Sequence, residues 1–477
     1  MRVAIGIVLV TGILIAGVLG IQYVRSADPR LDVEVRVPGM EKALTDVGTA
    51  GNIEGKPILT AGSGEPSEEI TANWPQFMGP GRDNTVTQQT PLARKWEGGK
   101  PPVVWEKEVG LGHAGVAVWN GRAYLHDYDA SEKRDVIRCF SLTDGEDIWS
   151  FSYPVDIRDY HGMSRIVPAV TDKYLVALGP KLHLTCMDPV TGNVYWQKDL
   201  VKEFGAIVPE WYAGQGPIIE NGTAVIAIGG TDILYAGFDL KTGEITWKTP
   251  NQKRWAMTHS SIMPTTIDGK KIYTCVFTGG VAAVSAELAD AGKLLWQTSD
   301  WDYKTASAPS PAILDDNRIM FSAGYGTGAA MFKLSWDGEK ISHEVLWRTR
   351  PPRGFGTEQQ TPIYYQEHLF GILPKQIGRM SEQLVCLNPD DGSRVWASGR
   401  SARFGLGPFI IADGMIIVLG DRGELRLVEA STSGYREMAK AKVLHGHDAF
   451  APMALVDGRL ICRDVDTLIC LDLRASE

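Results

Sequence analysis

Five of the nine histidines in this 477-residue chain fall in short polar stretches that also collect arginine, lysine, aspartate and glutamate. One stretch carries His113, and the next carries Asp156, Arg158, Asp159, His161 and Arg165. Further along come Glu210, Trp211 and Tyr212, then Arg254, Trp255 and His259, then Lys304. The last are Arg353 and Glu358, then Arg403, then His445, His447 and Asp448. Imidazoles beside carboxylates can move protons or hold a metal. Charges of both signs on one surface suit a peptide, a sugar or an anion. A polar loop is also what solvent exposure alone selects. No CxxC, no CxxCH haem site and no zinc-ligand cluster accompanies these residues, so their spacing favours binding over metal chemistry.

The six cysteines are equally spare. Cys139, Cys186 and Cys386 each lie ten residues before a tryptophan, and Cys470 holds the same place in the last unit. Equivalent positions of repeated units face equivalent surroundings and not each other, so these read as small buried apolar residues. Cys462 and Cys470 flank one turn. A three-residue turn would set them opposite and permit a disulfide, and a two-residue turn would not.

The elements that must carry the polar stretches repeat along the chain. CFSLTDGEDIW (139–149), CMDPVTGNVYW (186–196), GFDLKTGEITW (237–247) and CLNPDDGSRVW (386–396) are each a strand, a turn and a second strand ending on tryptophan. Looser copies end at Trp296, Trp347 and Met438. The Asp/Asn, Thr and Gly between the strands are turn formers. A second element runs from a proline to an Asp-Gly or Asn-Gly hairpin. Its prolines are Pro168, Pro217, Pro264, Pro311, Pro362, Pro408 and Pro452, with Ala117 in the first place. Together the two elements predict four strands per unit of about 47 residues, the size of a propeller blade.

Eight proline-type elements occur but only seven tryptophan-type elements follow them. The chain stops after a third strand, TLICLDLRASE, and the strand Val103–Lys107 near its start carries Trp105 in step with the period. The count predicts an all-β, eight-bladed β-propeller of four-stranded antiparallel blades over 101–477. Val103–Lys107 completes the last blade and closes the ring. Closure removes sheet edges that would otherwise pair with other chains. The polar stretches then lie just ahead of each blade's innermost strand, on one rim. The candidate ligand-binding residues of this rim are His113, His161, Arg165, Trp211, His259, Lys304, Glu358, Arg403 and Asp448.

The D-x-x-T-G-x-x-x-W units resemble the repeats of quinoprotein (pyrroloquinoline quinone, PQQ) alcohol dehydrogenases. They are also similar to those of the lipoprotein subunit of the outer-membrane barrel-assembly machine. Trp74-Pro75-Gln76-Phe77 followed by Gly79-Pro80 resembles the lead-in segment of bacterial PQQ-like propellers. The dehydrogenase resemblance implies PQQ with calcium in the central channel, a vicinal disulfide against the quinone, a Glu/Asn/Asp calcium set and a catalytic Asp. This chain has no adjacent cysteines, lacks the long inserted loops of those enzymes, and matches no complete calcium set. The resemblance therefore implies the scaffold and not the cofactor.

Residues 3–21 are uncharged and almost wholly apolar, long enough to cross a bilayer as a helix. They predict a membrane anchor over 1–25, followed by a linker over 26–73 and a lead-in segment over 74–100. Arg2 and the terminal amine favour a cytoplasmic N-terminus against Arg25 and Arg30, which puts the propeller outside the cytoplasm. A formal charge of −9 without a Lys/Arg stripe argues against nucleic acid. The expectation is a non-catalytic, membrane-tethered binding or scaffold module of the cell envelope, without a cofactor, whose partner is an envelope protein or peptide segment. The alternative is a PQQ-dependent dehydrogenase. Metal-dependent hydrolysis among the rim histidines is a third class, supported by the histidine count alone. Deleting residues 1–25 should release a folded, soluble propeller. Retention of that truncated protein in carbonate-washed membranes would overturn the single-anchor reading.

Overall fold

The computed structural model describes residues 56–87, 90–157, 163–351 and 353–475. They form eight sheets, each built on four antiparallel strands in an up-and-down order. The innermost strands of blades 1 to 8 are Ala117–Trp119, Ala169–Val170, Ile218–Glu220, Met263–Ile267, Ala312–Ile313, Ile363–Tyr365, Phe409–Ala412 and Ala454–Val456. Each of these prolines stands within the first residues of its blade, where a missing N–H is tolerated. Among the described residues no helix is long and apolar enough to cross a membrane. The apolar stretch 3–21 lies outside them.

Ring closure is as the repeat count predicts. The strand Val103–Glu108 pairs antiparallel with Thr467–Asp472, with Trp105 opposite Cys470. Cys462 faces Ile469 and Cys470 faces Ile461 across their hairpin, so the two thiols are not directly opposed and both are free. All six cysteines are buried.

The repeat motif is explained by contacts between blades. Gly192 and Gly243 sit in turns at φ 74° and 72°. A Cβ on either would lie 2.7 or 2.8 Å from the indole of Trp149 or Trp196, the tryptophan of the preceding blade. Glycine is needed there both for the backbone and for the ring. Trp105, Trp247 and Trp347 lie the same way over Gly145, Gly292 and Gly392. The indole N–H groups reach forward as well. Trp105 Nε1 donates to Leu142 O at 3.0 Å, Trp196 Nε1 to Leu240 O at 3.0 Å and Trp347 Nε1 to Pro389 O at 2.8 Å. Nearer the axis, hydroxyls link blades 3 to 6. Gly216 N–H donates to Ser261 Oγ (2.9 Å), Ser261 N–H to Ser310 Oγ (3.0 Å) and Ser310 N–H to Thr361 Oγ1 (2.9 Å).

Residues 56–73 fall in the stretch whose composition predicts a linker, yet they pack on the propeller. Ile58–Ala61 adds a fifth strand to the outer edge of blade 1. Ser67 N–H donates to Gly121 O, and Thr71 and Ala72 N–H donate to the Asp457 carboxylate. The chain then crosses the channel. Trp74 pairs with Val118 of blade 1, and Val170 N–H of blade 2 donates to Pro75 O. Arg82 Nη1 reaches Pro217 O of blade 3, and Thr85–Val86 runs parallel to Ile411–Ala412 of blade 7. Blades 3 and 7 stand opposite each other in a ring of eight, so residues 74–86 span the channel that the innermost strands enclose. Gly79 (φ 80°) lies against the Trp74 ring, 2.9 Å from where its Cβ would be. That contact gives the Trp-Pro-Gln-Phe-Met-Gly-Pro motif its shape.

Trp105 is 6% exposed and docks on the first blade while closing the last. Trp105→Ala should lower stability by about 3–5 kcal/mol, the usual cost of emptying a core tryptophan site. Deleting residues 100–108 should unfold the ring, because it reopens a sheet edge. Urea denaturation of both variants checks this.

Candidate functional site

In an up-and-down blade, the connections between blades and the hairpins between second and third strands share one face. Residues 67–92 are anchored at first-hairpin turns on the other face, Ser67 at Gly121, Thr71 and Ala72 at Asp457, and Leu92 at Asp413. The polar stretches therefore form a rim opposite the side from which the channel is crossed.

Five blades send side chains together at this rim. Arg165 of blade 2 is positioned through its neighbour Ser164. The Ser164 hydroxyl donates to Asp135 Oδ1 at 2.9 Å, and its carbonyl accepts from His113 N–H at 2.6 Å. The buried Asp135 carboxylate is also held by His126 Nε2 at 2.8 Å and by the Tyr153 hydroxyl. Burial first, then the Asp135 charge, keeps Tyr153 a neutral donor. Burial likewise pulls Arg165 down to about 10, while Tyr325 and Tyr212 act in the opposite direction.

Trp211 and Tyr212 of blade 3 are both left-handed, at φ 62° and 69°, a costly conformation for aromatic residues. This turn aims the Glu210 carbonyl at His259 of blade 4, with His259 Nε2 at 2.6 Å. A carbonyl only accepts, so Nε2 carries the proton and Nδ1 is left as the acceptor of the neutral ring. Burial first, then Arg165, lowers His259 to about 4. Trp211 lies 6.2 Å from the His259 ring and is nearly parallel to Tyr325, at 6.4 Å and 14°. Tyr325 is pushed up to about 12 by burial and then by Glu358, against Arg165. Glu358 of blade 6 is raised by burial and accepts from Lys375 N–H at 3.1 Å. Lys304 is exposed. Its N–H donates to Thr327 Oγ1 at 3.1 Å, and its ammonium lies over Gly326 beside Tyr325.

Arg165, Trp211, His259, Lys304 and Glu358 of the predicted set thus form one group. The others stand apart. His113 is buried and stacks on Phe450 at 4.3 Å. Arg403 lies 3.9 Å from Glu382 and 3.4 Å from the Arg379 carbonyl. Asp448 contacts its neighbour His447 at 3.0 Å. His161 lies outside the described residues. Sequence reasoning missed Tyr325, because it followed only the stretches ahead of each proline. Tyr325 comes from the second hairpin of blade 5, where the run Gly324-Tyr325-Gly326-Thr327-Gly328 was the available signal. Among the described residues no three His, Cys, Asp or Glu side chains gather as a metal site requires. The arrangement can offer an aromatic surface, a guanidinium, an ammonium and a carboxylate to a polar ligand.

His259 titrates near 6.5 when unfolded and near 4 when folded, so the unfolded chain binds the extra proton first as pH falls. Its contribution is complete above pH 6.5 and is lost on descent toward pH 4. His259→Gln keeps a donor for Glu210 O and removes the titration. The stability difference between wild type and this variant should therefore shift against the wild type by on the order of 1–3 kcal/mol across that window. Urea midpoints at stepped pH measure it.

A family profile described as "Outer membrane protein assembly factor BamB" matches residues 133–374, half of the chain. No curated protein sequence matches. Among solved structures, BamB from Moraxella catarrhalis superposes with a TM-score of 0.51 at 12% identity, covering 78% of this chain and 100% of that one. A quinohemoprotein alcohol dehydrogenase from Pseudomonas putida HK5 gives 0.58 at 12% identity, covering 86% and 81%. The quinohemoprotein alcohol dehydrogenase from Comamonas testosteroni gives 0.56 at 12%, covering 85% and 81%. At such identities these structures share the fold alone. With the profile match, the PQQ-like repeats and the closed ring of eight blades, the chain belongs to the BamB-like family of PQQ-type β-propellers.

Proposed function

We propose that this protein is a membrane-tethered, non-catalytic propeller of the cell envelope that binds a protein or peptide segment at the rim formed by Arg165, Trp211, His259, Lys304, Tyr325 and Glu358. The observation that carries the reading is the convergence of aromatic and oppositely charged groups from blades 2 to 6 on the face away from the lead-in segment. Such groups recognise partners through charge complementarity and aromatic anchors. The family match supports an assembly role in the envelope, and the apolar stretch 3–21 supports tethering.

The dehydrogenase reading asks for PQQ and calcium in the channel. The lead-in segment weighs against that pair. The chain's own residues 74–86 cross the channel that this pair would have to occupy.

Lys304→Glu reverses an exposed charge, so the melting temperature should stay nearly unchanged. Capture of a partner from detergent-solubilised envelope should weaken several-fold. Unchanged capture would return the rim to plain solvated surface. Quinone absorbance together with dye-linked alcohol oxidation, on adding PQQ and calcium to the wild type, would overturn the non-catalytic reading.

A further inference from the structure

Residues 74–86 carry one arginine into the channel. Arg82 is 2% exposed. Its Nη1 donates to Gln76 Oε1 at 3.1 Å and to Pro217 O at 3.3 Å. Its Nε and Nη2 have no hydrogen-bond partner among the described residues. Those two N–H groups lie on one edge of the planar guanidinium and point the same way. That edge is the fork that meets two oxygens of a carboxylate or phosphate.

The described residues supply no counter-ion there. Burial lowers Arg82 to about 10, and the ionisable groups acting on it are Cys275 and Tyr273. Both are neutral. Burial pushes the Cys275 thiol up to about 12, and burial with the bond to Glu220 raises Tyr273. Asp83, next in the chain, is exposed and turns its Oδ1 to Thr85 N–H at 2.9 Å. The contrast is Arg463, 1% exposed, which donates to the carbonyls of Asp464, Gly110 and Val465 at 2.6–2.8 Å and lies in the field of Asp127 and Asp464. Among the described residues no carboxylate acts on Arg82. A buried charge with two unmade hydrogen bonds is strongly unfavourable unless something meets it.

We propose that the Nε–Nη2 edge of Arg82 binds a small oxyanion inside the propeller channel, a carboxylate or phosphate group held by two parallel hydrogen bonds. Burial of the side chain restricts the ligand to a small ion. The site stands on the channel side of the ring and does not depend on what the rim binds.

The test is thermal unfolding of the full chain in detergent, at fixed ionic strength, in chloride alone and with millimolar phosphate or acetate. A ligand bound only by the folded state raises the melting temperature. Phosphate, acetate or both should raise it by about 2 °C or more over chloride, and the arm that responds identifies the class of ion. Arg82→Lys keeps the charge and loses the fork, so the oxyanion-specific rise should vanish. Should that variant fail to fold, ion chromatography of acid-released supernatant from gel-filtered wild type should find about one oxyanion per chain. An equal rise with chloride, a rise that persists in Arg82→Lys, or no rise together with no released oxyanion would each overturn the proposal. The last result would mean that water alone meets the edge.

Discussion

Trp105, Trp149, Trp196, Trp247 and Trp347 each lie on the turn glycine of the next blade, and the indole N–H groups of Trp105, Trp149, Trp196 and Trp347 close on a carbonyl of the same turn. This contact joins blades whose own sheets are too small to stand alone. It also demands a ring. Trp105 comes before any complete blade in the chain, yet it docks on Gly145 of blade 1 while its strand pairs with Thr467–Asp472. Every blade is then held on both sides, and the third strand of the last blade is not left as an open edge. Blade 5 keeps a turn glycine, Gly338, but no ring lies over it and the partner changes. Trp296 donates to His343 Nδ1 at 3.1 Å, and His343 Nε2 in turn faces Asp300 at 2.8 Å.

A closed ring of eight encloses a channel, and this chain crosses it with its own lead-in segment. Backbone pairing to blades 1, 2 and 7 satisfies polar groups that the channel would otherwise bury alone. The same segment brings in Arg82, whose charge the channel walls leave uncompensated. One arm of the chain thus both crosses the channel and gives it a binding group.

The opposite face is shaped by the connections between blades, which are free of ladder constraints and can carry function. Their side chains converge because the blades radiate from one axis. The rigid frame sets the Trp211–Tyr325 pair, and burial keeps His259 neutral near physiological pH. A preformed aromatic and charged surface binds at little ordering cost.

The blade count and the closing strand were legible in the sequence because turn chemistry and tryptophan spacing are local, and local signals repeated at a fixed period add up. Cys139, Cys186 and Cys386 read as buried for the same reason, since each recurs at one place in the unit. The packing of residues 56–73 was not legible, because a polar, irregular stretch looks the same free in solvent as paired to an edge strand. Nor was the rim. His113, Arg403 and Asp448 occupy places equivalent in sequence to Arg165 and His259, yet they settle on nearby partners. Tyr325 arrives from a hairpin that sequence position does not mark. Which side chains meet across the axis, and that Arg82 faces blade 3 while Val86 pairs with blade 7, were decided only by the closed ring. Its circular geometry brings together residues that no local pattern connects.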